Sequence, residues 1–113
     1  MRQPTFFERE PARGEEDAER IVLYALGDFQ ARGKELVERD LPLDRLRGAL
    51  RRAAEKFEAD ELADEPAVAA FAALGARVRR VPAFVAKHPY RVVVPAALAE
   101  RARAFYAERA TQN

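Results

Sequence analysis

The side chains able to do chemistry in this chain are few. It has no cysteine and no serine, so covalent catalysis would fall to Thr5, Thr111, a tyrosine or one of Lys34, Lys56 and Lys87. The two threonines stand near the chain ends, where a reacting atom is hardest to hold in place. His88, the one histidine, is the only side chain whose ordinary pKa lies near neutrality. Beside Lys87 and Tyr90 it reads as a general base or phosphate contact, or more simply as a turn residue before Pro89. One histidine with carboxylates is a poor zinc set. This inventory predicts a protein with no catalytic residue, no metal and no cofactor.

Cations offer more than nucleophiles do. Arg77, Arg79, Arg80, Lys87, His88 and Arg91 form the densest basic group, with Phe84 and Tyr90 placed to stack on bases. That pattern suits the phosphates of a nucleic acid. The plainer alternative pairs these arginines with acidic residues of the N-terminal half, or lays their stems over a sheet face. The charge is polarised: residues 1–65 hold 12 basic and 17 acidic side chains, and residues 66–113 hold 8 and 2. Such polarity steers an anionic partner or promotes contact between copies of the chain.

The carboxylates fall into two clusters. Glu15, Glu16 and Glu19 have a Glu-Glu-x-x-Glu spacing, and Glu35 and Glu38 follow. This resembles the magnesium-binding spacing of dimeric all-α nucleotide pyrophosphatases, which implies a metal-dependent nucleotide hydrolase. The same glutamates precede the apolar stripe of their helix, where the helix dipole is reason enough for them. Glu58, Asp60, Glu61, Asp64 and Glu65 lack the alternation and central glycine of a calcium loop and read as a solvated linker. The five glycines are scattered and form no phosphate cradle.

The elements that position these residues follow from periodicity. Thr5-Phe6-Phe7-Glu8, between Pro4 and Pro11, predicts a short edge strand, and residues 12–16 a loop. Ala18, Ile21, Val22, Ala25, Leu26 and Phe29 share one helical face, closed by Gly33; a buried strand over 18–30 is the alternative. Leu36 and Val37 extend that helix or form a brief strand. Leu43, Leu46, Leu50, Ala53 and Phe57 mark a helix over 42–58, with Pro42 in its first turn. Pro66 opens a short helix ended by Gly75. A hairpin follows, with strands around 77–81 and 90–94 about the break Lys87-His88-Pro89. Pro95 starts a last helix with the stripe Leu98, Ala102, Phe105 and Tyr106, and 111–113 should fray.

Three helices followed by a hairpin resembles a winged-helix domain, the passage LGARVRRV…HPYRVVV being similar to its helix-into-wing segment. The resemblance implies nucleic-acid binding. A recognition helix, however, should offer polar side chains to base edges, and PAVAAFAAL offers none.

The whole predicts one compact α+β domain, helix-rich, with a two- or three-stranded antiparallel sheet. No run is apolar enough to span a membrane and no signal peptide is evident, so a cytoplasmic location is expected. The absence of serine, the single asparagine and the 17 arginines against 3 lysines fit heat adaptation or a GC-rich genome. The expected function is non-enzymatic, through protein contacts and self-association, on the charge split and the exposed-looking Phe6, Phe7, Phe105 and Tyr106. Nucleic-acid binding through the basic hairpin is second, and a carboxylate–magnesium hydrolase third.

Overall fold

The computed structural model describes residues 4–82 and 89–110, with side chains for residue 14, residues 16–82 and residues 89–110. Helix α1, Pro4–Ala31, runs through the middle of the fold. Its predicted stripe is buried from Ala18 to Phe29, which decides helix over strand at 18–30. The helix ends at Gly33, whose φ of 83° places it in the left-handed region open to glycine. The strand expected at Thr5–Glu8 and the loop at 12–16 are replaced by the first turns of α1. Residues 8–20 are rich in Glu, Arg and Ala, strong helix formers, and extending a helix already nucleated downstream is favourable where starting one is not.

Strand β1, Asp40–Pro42, lies where the sequence predicted the start of a helix. Pro42 is extended (φ −67°, ψ 144°), and a 3-10 turn over Leu43–Leu46 leads into α2, Arg47–Lys56. The predicted stripe still points inward, with Leu43, Leu46, Leu50 and Ala53 all buried. Helix α3, Asp64–Leu74, ends at Gly75 with a φ of 109°. Strands β2, Arg77–Arg80, and β3, Tyr90–Val93, precede α4, Ala96–Ala110. The residues expected to fray, 111–113, lie outside the described residues.

The three strands form an antiparallel sheet in the order β1-β3-β2. Leu41 lies opposite Val92, and Val92 opposite Val78, so one face carries apolar side chains towards the helices. Val37 adds an isolated parallel bridge to Val94, where the sequence left 36–37 open between an extension of the helix and a brief strand. The elements run helix, strand, helix, helix, strand, strand, helix, with the first strand beside the last; the sequence reading of three helices followed by a hairpin lacked β1.

Helix α1 packs on α2, α3 and α4 at once. Gly27 lets α4 come close: a Cβ there would lie 2.3 Å from Tyr106 Cβ and 2.6 Å from the Ala102 carbonyl oxygen. One turn on, Gln30 Nε2 donates to the Ala99 carbonyl at 2.9 Å. Asp28 is the one buried charged residue among the described residues, and its Oδ2 accepts from Arg52 of α2 at 2.6 and 2.9 Å. Arg32 adds a longer contact at 3.3 Å. Among the described residues, no helix is long and apolar enough to cross a membrane.

Candidate functional site

The sheet face turned away from the helices carries three of the predicted basic residues. Side-chain alternation sets Arg77 and Arg79 of β2 on the same face as Arg91 of β3, with Arg79 and Arg91 directly opposite each other. Opposed like charges destabilise a strand pair. Asp40 of β1 relieves this by accepting from Arg79 at 2.7 Å and from Arg91 Nε at 3.3 Å. Arg91 also donates to the Asp40 carbonyl at 3.0 Å, and Arg77 donates to Glu38 at 2.6 Å. The hydrogen bond from Arg79 is the main reason the Asp40 carboxyl sits below its ordinary pKa; desolvation works against it and Arg91 adds to it.

The arginines therefore meet the acidic N-terminal half, as the plainer reading of the sequence had it. Arg80, on the opposite face of β2, has its guanidinium 5.6 Å from the Tyr90 ring centroid and no carboxylate partner among the described residues. The Tyr90 hydroxyl donates to Glu65 at the start of α3, at 3.2 Å. Lys87 and His88 lie outside the described residues. So of the six predicted site residues, Arg77, Arg79 and Arg91 converge around Asp40 and Glu38, and Arg80 stands apart.

Helix α3 holds the segment PAVAAFAAL that the winged-helix resemblance would make a recognition helix. Its exposed positions are Glu65, Pro66, Ala69, Ala72 and Ala73. Pro66, Ala69 and Ala73 line a groove of about 370 Å³ with Gly14, Ala18 and Glu19 of α1. None of these side chains can donate a hydrogen bond to a base edge. The acidic connector before α3 is tied down more than a solvated linker would be. Arg47 donates to the Leu62 carbonyl at 3.0 Å and pairs with Asp64, and Arg51 reaches Glu61 at 3.5 Å.

The carboxylates of the hydrolase reading are spread from the middle of α1 to beyond its C-terminal end. Glu16 and Glu19 stand near its middle, not at the helix start where the dipole would account for them; Ala31 is roughly 18 Å beyond Glu19 along the axis, at 1.5 Å per residue, and Glu35 and Glu38 follow it in the chain. Glu35 pairs with Arg39 and Glu38 with Arg77. No group of three or more metal-ligating side chains occurs among the described residues.

Sequence reasoning missed an aromatic cluster. Tyr24 packs edge-on to Phe57 at 5.6 Å and tilted against Tyr106 at 4.8 Å, and Phe57 lies 6.4 Å from Phe105. Arg20 covers Phe57 at 4.9 Å and Arg109 covers Phe105 at 3.9 Å. Burial, with Tyr106 and Asp28 nearby, pushes the Tyr24 hydroxyl above its ordinary pKa. Phe105 and Tyr106, expected to be exposed, are half-buried; the side chains of Phe6 and Phe7 lie outside the described residues. No protein-family model matches the chain, and no curated protein or solved structure does either.

Proposed function

We propose that this protein acts by binding protein surfaces, its own copies included, and carries out no bond chemistry. One observation carries the reading. Where a winged helix would offer polar donors to DNA, α3 presents Pro66, Ala69, Ala72 and Ala73, and the neighbouring sheet arginines are occupied by Asp40 and Glu38. Small apolar side chains with an acidic rim at Glu19 and Glu65 suit a protein partner and repel phosphates.

A second reading keeps one supporting observation. Arg80 has no carboxylate partner among the described residues and stands on the strand that leads towards Lys87 and His88. From that edge a nucleic-acid backbone could be gripped without base reading.

Anisotropy of a labelled DNA duplex and a labelled single strand, titrated with the protein at low ionic strength, separates the two. The protein-contact reading expects no saturable binding at micromolar protein. Binding that weakens steeply with salt and disappears in Arg80→Glu/Lys87→Glu would replace it with the second reading.

A further inference from the structure

We propose that the free edge of β2 takes up an extended acidic segment of another protein as a further antiparallel strand of the sheet. The inference rests on the protein-contact reading and gives it a surface and a partner class. β2 is an edge strand, since the sheet runs β1-β3-β2. The Val81 N–H donates to the Pro89 carbonyl at 2.6 Å, and this pair continues the register of Arg77 with Val93 and Arg79 with Arg91. Hydrogen-bonded pairs recur at every second residue of an antiparallel ladder. Arg77, Arg79 and Val81 therefore aim their backbone groups at β3, and Val78 and Arg80 aim theirs outward. Those outward N–H and carbonyl groups have no partner among the described residues. They are a template onto which another strand pairs.

The side chains beside that edge select the occupant. On the outer face Arg77, Arg79 and Arg91 share two carboxylates, Glu38 and Asp40. Asp40 is held twice, so Arg79, 58% exposed, can turn to a new carboxylate while Arg91 keeps its contacts at 3.3 and 3.0 Å. Arg80, on the helix-facing side, has no carboxylate partner among the described residues. Val78 on that same side is half-buried against the core. An incoming antiparallel strand thus meets Arg80, Arg79 and Val78 in turn, and its complement is acidic, acidic, aliphatic. A nucleic acid neutralises arginines but has no alternating N–H and carbonyl groups for the ladder. A second copy's β2 has those groups and the wrong charge. About a twofold axis, each register that uses them sets Arg79 on Arg79, Arg77 on Arg79 or Arg80 on Arg80, and facing like charges destabilise a strand pair.

Fluorescence anisotropy of a labelled peptide, Thr-Thr-Glu-Glu-Val-Thr with both ends blocked, titrated with the unmodified chain, tests it. Saturable binding is expected, weakened by about tenfold or more when Lys-Lys replaces Glu-Glu. The amides of the first Glu and of the Val face β2 in this register, and the amide of the second Glu faces away. N-methylation of the first two should weaken binding by about tenfold or more, and N-methylation of the third should leave it. Arg80→Glu should reverse the preference at the first acidic position, so that Lys-Glu binds better than Glu-Glu. The peptide series needs no altered protein, so it decides the matter even if that variant loses its circular dichroism. Binding that survives both ladder methylations would be held by charge alone and would overturn strand addition. No binding of the Glu-Glu peptide would overturn this edge as a docking site, while self-association, read by sedimentation, still stands or falls by itself. Displacement of the peptide by a single-stranded DNA would overturn both this inference and the protein-contact reading.

Discussion

Gly27 and Tyr106 approach so closely that a methyl group on Gly27 would stand 2.3 Å from the tyrosine Cβ. In sequence Gly27 looks like a defect in α1, about 1 kcal/mol worse than alanine at an exposed helical site. Between helices it is the position that sets how near α4 can lie. Gly27→Ala is expected to lower stability by about 1–3 kcal/mol, because the obstructing atoms are a Cβ and a backbone carbonyl that cannot swing aside. Urea unfolding measures it. A variant as stable as the parent would mean that α4 does not sit at this distance.

Asp28 and Arg52 join α1 to α2 across a buried carboxylate. Removing the arginine should do more harm than removing the aspartate, since it leaves Asp28 buried with only the longer contacts from Arg32. Arg52 is 40% exposed, so solvent screening moderates the loss; Arg52→Met is expected to cost about 2 kcal/mol. Asp28→Asn should cost less, because Arg52 can turn to water. Chemical denaturation of the two variants gives the order, and the reverse order would contradict the pairing.

The Asp40 carboxyl gives the sheet a pH dependence of known sign. Its pKa in the folded chain is lowered, so the unfolded chain binds its proton more readily. The stabilising contribution is present above the unfolded value of about 3.9 and fades as pH falls through the lower folded value. Asp40→Asn should therefore melt below the parent at neutral pH, and the gap should narrow in acid. Melting curves across that range check it. A gap that widens as pH falls would mean that Arg79 and Arg91 do not hold this carboxylate.

What the sequence made legible and what it hid come down to one strand. The α1 stripe, the α2 stripe, Gly75 as a helix end and the two hairpin strands were readable because apolar residues recur at the period of the element they form. β1 was not. It has three residues, one of them Pro42, and its only apolar side chain free of a helical reading is Leu41. Pairing with β3 makes it a strand, a tertiary cause with no local trace. With β1 hidden, Asp40 could not be placed near Arg79 and Arg91, so those arginines looked available for phosphates. The charge split between the halves was visible from the start, and Asp40 and Glu38 show one use of it, inside the fold. The closeness of α1 and α4 was equally hidden: Gly27 and Tyr106 are far apart in sequence, and nothing local marks either as a contact.

Sedimentation equilibrium of the unmodified chain, over micromolar concentrations and at two ionic strengths, tests most directly whether the molecule works through contacts with its own kind. A mass approaching twice 12.7 kDa as concentration rises, with weaker association at high salt, is the expected result. A mass of 12.7 kDa at every concentration would contradict it.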